Sequence, residues 1–201
     1  MAYAKASTDP TIPKIDLSTE HIQNTKVLAN RTDLLKLLPK GGVVAELGVN
    51  KGGFSADILE HTAPEKLHLI DMWGSKRYNQ DIRKSVESRF ANELASGKVE
   101  INLGLSTGVV NDFKEAYFDW IYIDTDHSYQ TTKAELEMYA SKMKPGGIMA
   151  GHDYTVCNWN GLVRYGVIEA VHEFCKNQNW EIIYLSMEMT VKPSFAIRKL
   201  S

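Results

Sequence analysis

The sequence of 201 residues has few cysteines, no long apolar run and almost no net charge. Its two cysteines, Cys157 and Cys175, are too few for a disulfide scaffold and lack the spacing of a thiolate zinc site. No apolar run approaches the roughly 20 residues that a membrane-spanning helix needs. The formal net charge of -2 offers no basic excess for a phosphate backbone. We therefore expect no binding to membranes or nucleic acids.

The N-terminal residues Met1–Pro13 are polar and lack the apolar region of a secretory signal. Together with the scarcity of cysteine, this favours a cytoplasmic protein with reduced thiols. Hydrophobic residues make up 43% of the chain and charged residues 24%, which is typical of a folded domain. The sequence predicts an N-terminal leader and helix over residues 1–41, with the helix at Leu17–Leu38, and one main domain over residues 42–201.

From Gly42 onward, short apolar runs alternate with segments of helical periodicity. This alternation predicts a mostly parallel sheet that is covered by helices on both faces. The last two strands have no helix between them and are expected to form an antiparallel hairpin. The predicted strands are Gly42–Leu47, Lys66–Asp71, Val99–Leu103, Phe118–Asp124, Ile148–Asp153, Trp180–Leu185 and Phe195–Lys199. The predicted helices are 54–60, 81–94, 107–113, 132–143 and 163–174.

Four of these strands end in acidic or imidazole side chains. They are Glu46, Asp71, Asp124 and the pair His152–Asp153. Ligands of such sheets bind beyond the carboxyl ends of the strands, so these side chains are expected to share one edge. Carboxylates gathered together repel one another, which predicts a cation or a ligand with hydroxyl and amine groups between them.

The first strand leads into a turn, Glu46–Gly53, that has glycines at positions 48 and 52. Glycine permits a positive φ and a close approach of a ligand to the backbone. The dinucleotide pattern GxGxxG is absent because Asn50 occupies its middle position. Asp71, about 20 residues further on, is suited to accept hydrogen bonds from ribose hydroxyls. A tight turn without a ligand, and an Asp71 that only caps a helix or a loop, remain alternatives.

A second group of polar residues spans Asp124–Tyr129 and Gly151–Tyr154. Asp124 and Asp126 beside the pair His152–Asp153 supply enough oxygen and nitrogen donors for a divalent metal ion. Alternatively, Asp126 or Ser128 caps the helix that follows.

Taken together, these motifs resemble those of the class I S-adenosylmethionine-dependent methyltransferases over Val43–Lys199. The resemblance is nearest to the metal-dependent sugar and macrolide O-methyltransferases. The motifs are Glu46-x-Gly48-x-x-x-Gly52, Asp71-Met72-Trp73-Gly74, Ile123–Tyr129, Lys144–Gly147 and Gly151–Tyr154. The resemblance implies the fold of that class, a single doubly wound, mostly parallel seven-stranded sheet with a C-terminal antiparallel hairpin.

The resemblance also implies S-adenosylmethionine as cofactor. Glu46 would face the methionine amine, Asp71 would hold the ribose hydroxyls, and Met72, Trp73 and Ser106 would lie near the adenine. The full implied cofactor-binding set is Glu46, Gly48, Gly52, Asp71, Met72, Trp73, Ser106 and Asp124.

For catalysis, the resemblance implies a divalent metal, Mg or Mn, held by Asp124, His152 and Asp153. Asp126 matches the position of the family's general base, and His127 is the other candidate proton acceptor. The sequence departs from the family at His152–Asp153, where relatives often have Asp-Asp or Asp-Asn. Imidazole suits Mn, Fe, Ni or Zn better than Mg, which leaves two alternatives. Either the metal differs from that of the relatives, or His152 acts as a base instead of a ligand.

The implied reaction is methyl transfer to a hydroxyl group of a small molecule, such as a sugar, a natural product or a phenol. A homodimer is one option for the assembly. One alternative is a metal-dependent hydrolase that uses Asp124, Asp126, His152 and Asp153, but it leaves Glu46 unexplained. The other is a catalytically idle binding protein with a cofactor fold.

Overall fold

The computed structural model describes residues 9–158, 161, 163–188 and 191–200. The strands within these ranges are β1 Lys26–Leu28, β2 Val43–Leu47, β3 Lys66–Asp71, β4 Val99–Leu103, β5 Phe118–Ile123, β6 Met143–Gly151, β7 Cys157–Asn158, β8 Val163–Arg164, β9 Trp180–Ser186 and β10 Phe195–Lys199. The α-helices are α1 Arg31–Leu37, α2 Gly53–Thr62, α3 Gln80–Arg89, α4 Ala91–Ala95, α5 Ser106–Val109, α6 Tyr129–Ala140 and α7 Val167–Gln178. Short 3-10 turns lie at Thr19–His21 and Val110–Asp112.

Within the described residues, eight strands form one sheet in the order β1-β9-β10-β6-β5-β2-β3-β4. The neighbours from β6 to β4 pair in parallel. β10 is antiparallel to both β6 and β9. The chain therefore has the predicted class I methyltransferase fold, with β9 and β10 as the antiparallel hairpin. The small strands β7 and β8 pair with each other away from this sheet.

The structure corrects the prediction of one helix over Leu17–Leu38. Val27 and its neighbours instead form β1, which pairs in parallel with β9. The helix begins only at Arg31, where the Asn30 side chain accepts a hydrogen bond from the backbone N–H of Asp33. The loose apolar spacing of this segment fits a strand followed by a short helix equally well. The sheet therefore has an eighth strand that the prediction of seven lacked.

Several other boundaries differ from the sequence prediction. The predicted helix 163–174 begins only at Val167, because Val163–Arg164 form β8. The predicted helix 81–94 is interrupted at Phe90, whose backbone (φ -109°, ψ 27°) leaves the helical region between α3 and α4. β6 begins at Met143 instead of Ile148 and runs through the segment 145–147, with a register shift against β5. It ends at Gly151, so His152 and Asp153 follow the strand directly.

Helices cover both faces of the sheet. Side chains of α1, α2 and α3 pack with one face, and side chains of α6 and α7 pack with the other. β2 contributes to both layers, since Val44 faces the first and Leu47 the second. None of the described helices has the length and apolarity required to cross a membrane.

The proposed division at residue 41 stays a prediction, and residues 1–8 lie outside the described ranges. The described part of the first segment packs closely on the second. Leu34, Leu35 and Leu38 are buried in the layer that also contains Val44. β1 and α1 therefore extend the main sheet and its helical cover.

Candidate active site

A cavity of about 840 Å³ opens at the carboxyl ends of β2, β3, β5 and β6. This volume is within the range of roughly 300–1,000 Å³ that small-molecule sites occupy. Most of the residues predicted from the sequence line it, namely Glu46, Gly48, Asp71, Met72, Ser106, Asp124, Asp126, His127 and His152. The sheet topology therefore brings the two predicted groups of polar residues together around one space.

Gly48 lies where β2 and β5 end side by side. Its φ is +88°, and a Cβ at this position would lie 2.0 Å from the carbonyl oxygen of Asp124. The Asp124 N–H donates to Leu47 O at 2.7 Å, which fixes this close approach. Only glycine fits here, because any side chain would collide with the backbone that presents Asp124.

Gly52 is the N-cap of α2 and has a φ of +69°. A Cβ there would lie 2.8 Å from the Phe90 ring. Gly52 is absent from the residues that line the cavity, and it supports the turn from beneath. The glycine pattern thus marks the turn correctly, although packing against protein atoms explains both glycines.

Asp71 holds the glycine turn in place. Its Oδ2 accepts hydrogen bonds from Val49 N at 2.9 Å and from Asn50 N at 3.0 Å. Its Oδ1 accepts one from Trp73 N at 2.9 Å. Since a carboxylate offers about four acceptor sites, roughly one is left for a hydroxyl group of a ligand.

The structure does not bring Trp73 to the cavity, where it was predicted to lie beside the adenine. Its side chain is 1% exposed, and its indole N–H donates to Asn50 O at 3.0 Å beneath the turn. Trp73 also has a φ of +41°, which turns the chain away from the ligand side. Its neighbour Met72 is half-exposed and does line the cavity.

Glu46 is buried at the end of β2, with 2% of its surface exposed. Burial raises the pKa of its carboxyl to about 8, while the hydrogen bond from the Ser55 hydroxyl opposes this shift. The negative charge of Asp124 raises it further. A cationic amine placed against Glu46 would favour the ionised carboxylate, so the residue is suited to bind one.

Glu135 on α6 is a buried acid that the sequence analysis missed. Its two oxygens accept hydrogen bonds from the hydroxyls of Ser106 and Thr125. Burial raises the pKa of Glu135 to about 7. The predicted residue Ser106 also accepts from the Tyr139 hydroxyl through its carbonyl oxygen, at 3.1 Å. Only the helical spacing of α6, which directs Glu135 inward beside Leu136, gave a signal for it.

Asp124, His152 and Asp153, the predicted metal ligands, come together in the structure. One ligand atom from each lies within 4.8 Å of the others. His152 Nδ1 is 3.2 Å from Asp153 Oδ2 and 3.8 Å from Asp124 Oδ1. His152 Nε2 is buried and has no hydrogen-bond partner among the described residues. An unpaired buried polar atom is uncommon and often belongs to a functional site.

His127 joins this cluster from the loop after β5. Its Nε2 is 3.1 Å from Asp153 Oδ2, so that carboxylate lies between two imidazole rings. His127 and Asp153 have φ values of 61° and 56°. Residues other than glycine rarely adopt such a backbone, and those that do concentrate at functional sites.

The carboxylates of the cluster differ in their electrostatics. Burial would raise the pKa of Asp153, but the hydrogen bond from His152 and the charges of His127 and His152 hold it below its ordinary value. Burial raises the pKa of Asp124 in spite of the opposing charges of the same two histidines. The two carboxylates therefore differ in how strongly their neighbours stabilise the ionised form.

Asp126 lies at the exposed rim of the cavity. Its Oδ1 accepts from Ser128 N and its Oδ2 from the Thr131 hydroxyl, both at 2.9 Å. Ser128 is the N-cap of α6, as one alternative from the sequence proposed, and it accepts from Thr131 N. Asp126 therefore stabilises the loop that carries His127.

Arg31 lines the cavity and was not among the predicted residues. Its guanidinium carbon lies 4.6 Å from the centroid of the Phe54 ring. The sequence analysis placed Arg31 inside a continuous helix, so nothing marked it as the first residue of α1 at the edge of a cavity.

The residues present fit both groups that the sequence implied. The cavity volume, the buried acid Glu46 and the acceptor site left on Asp71 suit a nucleoside that carries an amine. Two carboxylates and one imidazole form a donor set that suits Mn²⁺, Fe²⁺ or Zn²⁺.

The family described as "Methyltransferase domain" matches residues 45–154, a range that contains every predicted site residue. No curated protein sequence matches the chain. Many solved structures of low sequence identity share its fold. Spermidine synthase from Thermotoga maritima has a TM-score of 0.56 at 20% identity, over 86% of this chain and 57% of that one.

An rRNA methylase from Streptococcus thermophilus has a TM-score of 0.60 at 14% identity, over 85% of this chain and 94% of that one. A SAM-dependent methyltransferase from Aquifex aeolicus has a TM-score of 0.61 at 12% identity, over 98% of this chain and 97% of that one. The present chain thus spans little more than half of the spermidine synthase and nearly all of the other two. One fold accommodates proteins whose names imply different substrates.

Proposed function

We propose a function on the premise that this chain belongs to the methyltransferase-domain family and is a class I S-adenosylmethionine-dependent methyltransferase. The proposal is that it methylates a hydroxyl group of a small molecule with the help of a divalent metal ion. The fold does not determine the acceptor, because one fold supports many chemistries. The proposal therefore rests on the side chains at the carboxyl edge of the sheet.

The observation that carries the proposal is the convergence of Asp124, His152 and Asp153, whose ligand atoms lie within 4.8 Å of one another. We propose that these three residues hold the metal, and that the imidazole favours Mn²⁺ over Mg²⁺. When bound, such an ion supplies Lewis acidity, which lowers the pKa of a nearby hydroxyl. That help matters because an aliphatic hydroxyl is a poor nucleophile at neutral pH.

His127 is the residue that would accept the hydroxyl proton. Its Nε2 lies 3.1 Å from Asp153 Oδ2, so the carboxylate would orient the ring and stabilise the imidazolium that forms. Asp126, the other candidate base, would keep the loop in shape through its hydrogen bonds to Ser128 and Thr131. We propose His127 as the proton acceptor and Asp126 as the residue that positions it.

The cofactor would lie across the other side of the cavity. Glu46 would face the methionine amine, Asp71 the ribose hydroxyls, and Met72 and Ser106 the adenine. The acceptor oxygen would then attack the methyl carbon in line with the carbon–sulfur bond. That bond would break, its electron pair would stay on sulfur as a neutral thioether, and His127 would accept the hydroxyl proton. Alignment of this kind accounts for a large share of the rate in two-reactant enzymes.

The predictions on partners and location become part of the proposal. We propose a small-molecule acceptor, no binding to nucleic acid or membranes, and a cytoplasmic location, with a homodimer as one option for the assembly. The hydrolase alternative would use the same Asp124, His152 and Asp153, but it gives no reason for the buried Glu46.

The test is methyl transfer from methyl-labelled S-adenosylmethionine to a panel of sugars, phenols and aliphatic alcohols, with metal-stripped protein and with added Mn²⁺. We expect label on an acceptor oxygen and release of S-adenosylhomocysteine, both dependent on Mn²⁺. Equal transfer by metal-free protein would refute the metal role. Label on nitrogen would refute the hydroxyl acceptor, and hydrolysis products without label transfer would favour the hydrolase.

A further inference from the structure

Acidic side chains dominate the cavity, which makes its few cations informative. Glu46, Asp71, Asp124 and Asp126 line it, whereas Arg31 and Lys51 are its only lysine or arginine residues within the described chain. Lys51 is exposed in the glycine turn. Arg31 is partly buried, and its position is fixed by neighbouring elements.

Segments from the N-terminal and the C-terminal parts of the chain both hold the backbone around Arg31. Arg31 is the first residue of α1, directly after the N-cap Asn30. Its own N–H donates to the carboxylate of Glu188, which also accepts from the Ser186 hydroxyl at the end of β9. The N-terminal segment and the segment after β9 together fix this residue at the cavity wall.

The Arg31 guanidinium is in contact with an aromatic ring but not with an acid. It lies 4.6 Å above the Phe54 ring, an arrangement that orients the planar group. Among the described residues, its side chain has no hydrogen bond and no ion pair within 4 Å. It shares the cavity wall with Glu46 and Asp124, and its positive charge lowers the pKa of Glu46. The group thus lies in the same cavity as these acids, and its donors have no partner among the described residues.

The chemistry of an amino acid explains why a cation is needed there. The amine and the carboxylate of the methionine part are bonded to the same carbon, so they lie within a few ångströms of each other. If the amine faces Glu46, the carboxylate falls among Glu46 and Asp124, which would repel it. A guanidinium offers paired N–H donors that match a carboxylate.

We propose that Arg31 binds the α-carboxylate of S-adenosylmethionine and makes the site select the carboxylated cofactor over its decarboxylated form. The inference rests on the cofactor orientation proposed above, with the amine at Glu46. It is independent of the acceptor and of the metal.

The experiment measures binding instead of turnover. Calorimetric titration of the full chain compares S-adenosylhomocysteine with its decarboxylated analogue, which keeps the nucleoside, the sulfur and the amine. We expect wild type to bind the carboxylated ligand at least about tenfold more tightly, as a charge-assisted hydrogen-bonded pair implies. Arg31→Gln should reduce this preference to about twofold or less, chiefly by weakening the carboxylated ligand. Arg31→Lys should restore part of it, because the charge remains but the paired donors do not.

Lys51→Gln is the matched control, since it removes one positive charge from the same cavity. It should leave the preference within about twofold of wild type. An unchanged preference in Arg31→Gln, or its loss in Lys51→Gln, would overturn the role of Arg31. An equal loss of both ligands in Arg31→Gln would also overturn it and would indicate a structural role instead. Failure of wild type to bind S-adenosylhomocysteine would reject the cofactor orientation itself.

Discussion

The two halves of the cavity hold their acidic groups in different ways. The proposed cofactor half contains Glu46, Gly48, Asp71 and Ser106, and the proposed acceptor half contains Asp124, His127 and His152. Asp153 does not line the cavity, but it contacts both imidazoles of the acceptor half and is counted with it. In the cofactor half, carboxylates are bound by backbone N–H groups and hydroxyls, as Asp71 is by Val49 and Asn50. In the acceptor half, carboxylates and imidazoles face one another.

This difference indicates a division of labour. Hydrogen bonds to the backbone are part of the fold and persist whatever is bound, so the cofactor half is preorganised. Contacts between imidazole and carboxylate can be exchanged for a metal ion or can carry a proton. A positive φ at non-glycine residues does not separate the halves, since Asn50 and Trp73 have it beside the glycine turn and His127 and Asp153 have it in the acceptor half.

The sharpest way to separate the halves is Asp153→Asn. The amide keeps the shape and tolerates the positive φ of 56°, but it cannot hold a cation or stabilise protonated His127. We expect turnover to fall by about 10²–10⁴-fold, with S-adenosylhomocysteine affinity within about twofold of wild type. Steady-state kinetics and calorimetry measure the two effects. A parallel loss of affinity would show that the halves are not separate.

Gly48→Ala tests the close contact between the two halves, where Gly48 meets the backbone of Asp124. The new methyl group would lie 2.0 Å from Asp124 O at a φ of +88°. We expect the free energy of unfolding to fall by about 3 kcal/mol or more, from steric overlap added to backbone strain. Gly97→Ala is the control, because it has a φ of +74° and nothing within 4 Å. Gly97→Ala should lower the free energy of unfolding by only about 1 kcal/mol. Equal losses for the two variants in urea denaturation would refute the close approach at Gly48.

Glu46→Gln tests the electrostatics of the cofactor half. Because burial raises the pKa of Glu46 to about 8 from an ordinary value near 4.5, the folded state binds the proton more tightly than the unfolded state does. The contribution of Glu46 to the free energy of unfolding is fully present below about pH 4.5 and is lost as the pH rises through about 8. Between about pH 4.5 and 8, the free energy of unfolding should therefore fall less in the variant than in wild type. The difference between the two decreases should be about 2–4 kcal/mol.

Urea denaturation at several pH values measures this gap. Glu135 contributes a slope of the same sign, because burial raises its pKa to about 7, so some dependence should remain in the variant. Identical slopes for wild type and Glu46→Gln would contradict a buried, protonated Glu46.

The smallest expected effect concerns the acid between the two halves. Glu135 accepts from Ser106 in the cofactor half and from Thr125 beside Asp124. Ser106→Ala removes one of these donors but leaves the other, so we expect a loss of about 1 kcal/mol in unfolding free energy. Thr125→Val should match it in size. A loss several times larger for either one would show that the two hydrogen bonds are not equivalent.

Sequence patterns predicted the strands of the main sheet from Gly42 onward. Most of the site residues that these patterns and the family resemblance indicated do line the cavity. Apolar periodicity identifies strands, and the edge of a parallel sheet gathers the residues that end them. This is why Asp124, His152 and Asp153 were expected to meet, and they do.

What the sequence did not predict depends on contacts between distant segments. β1 forms only because β9 offers an edge to Lys26–Leu28, and its pattern alone was mistaken for helix. Arg31 reaches the cavity only because that helix starts late. Trp73 follows Asp71, the residue predicted to bind ribose, but its indole N–H donates to Asn50 O beneath the glycine turn. Periodicity contains no information on such pairings.

The measurement that tests the central claim most directly is calorimetric titration of metal-stripped wild type with S-adenosylhomocysteine, repeated with Asp153→Asn. The account predicts binding at one site per chain, with affinities that agree within about twofold and change little when Mn²⁺ is added. Such a result would show that the cofactor half is complete by itself. Absence of binding in both proteins, or binding that needs the metal and an intact Asp153, would contradict the division of labour between the two halves.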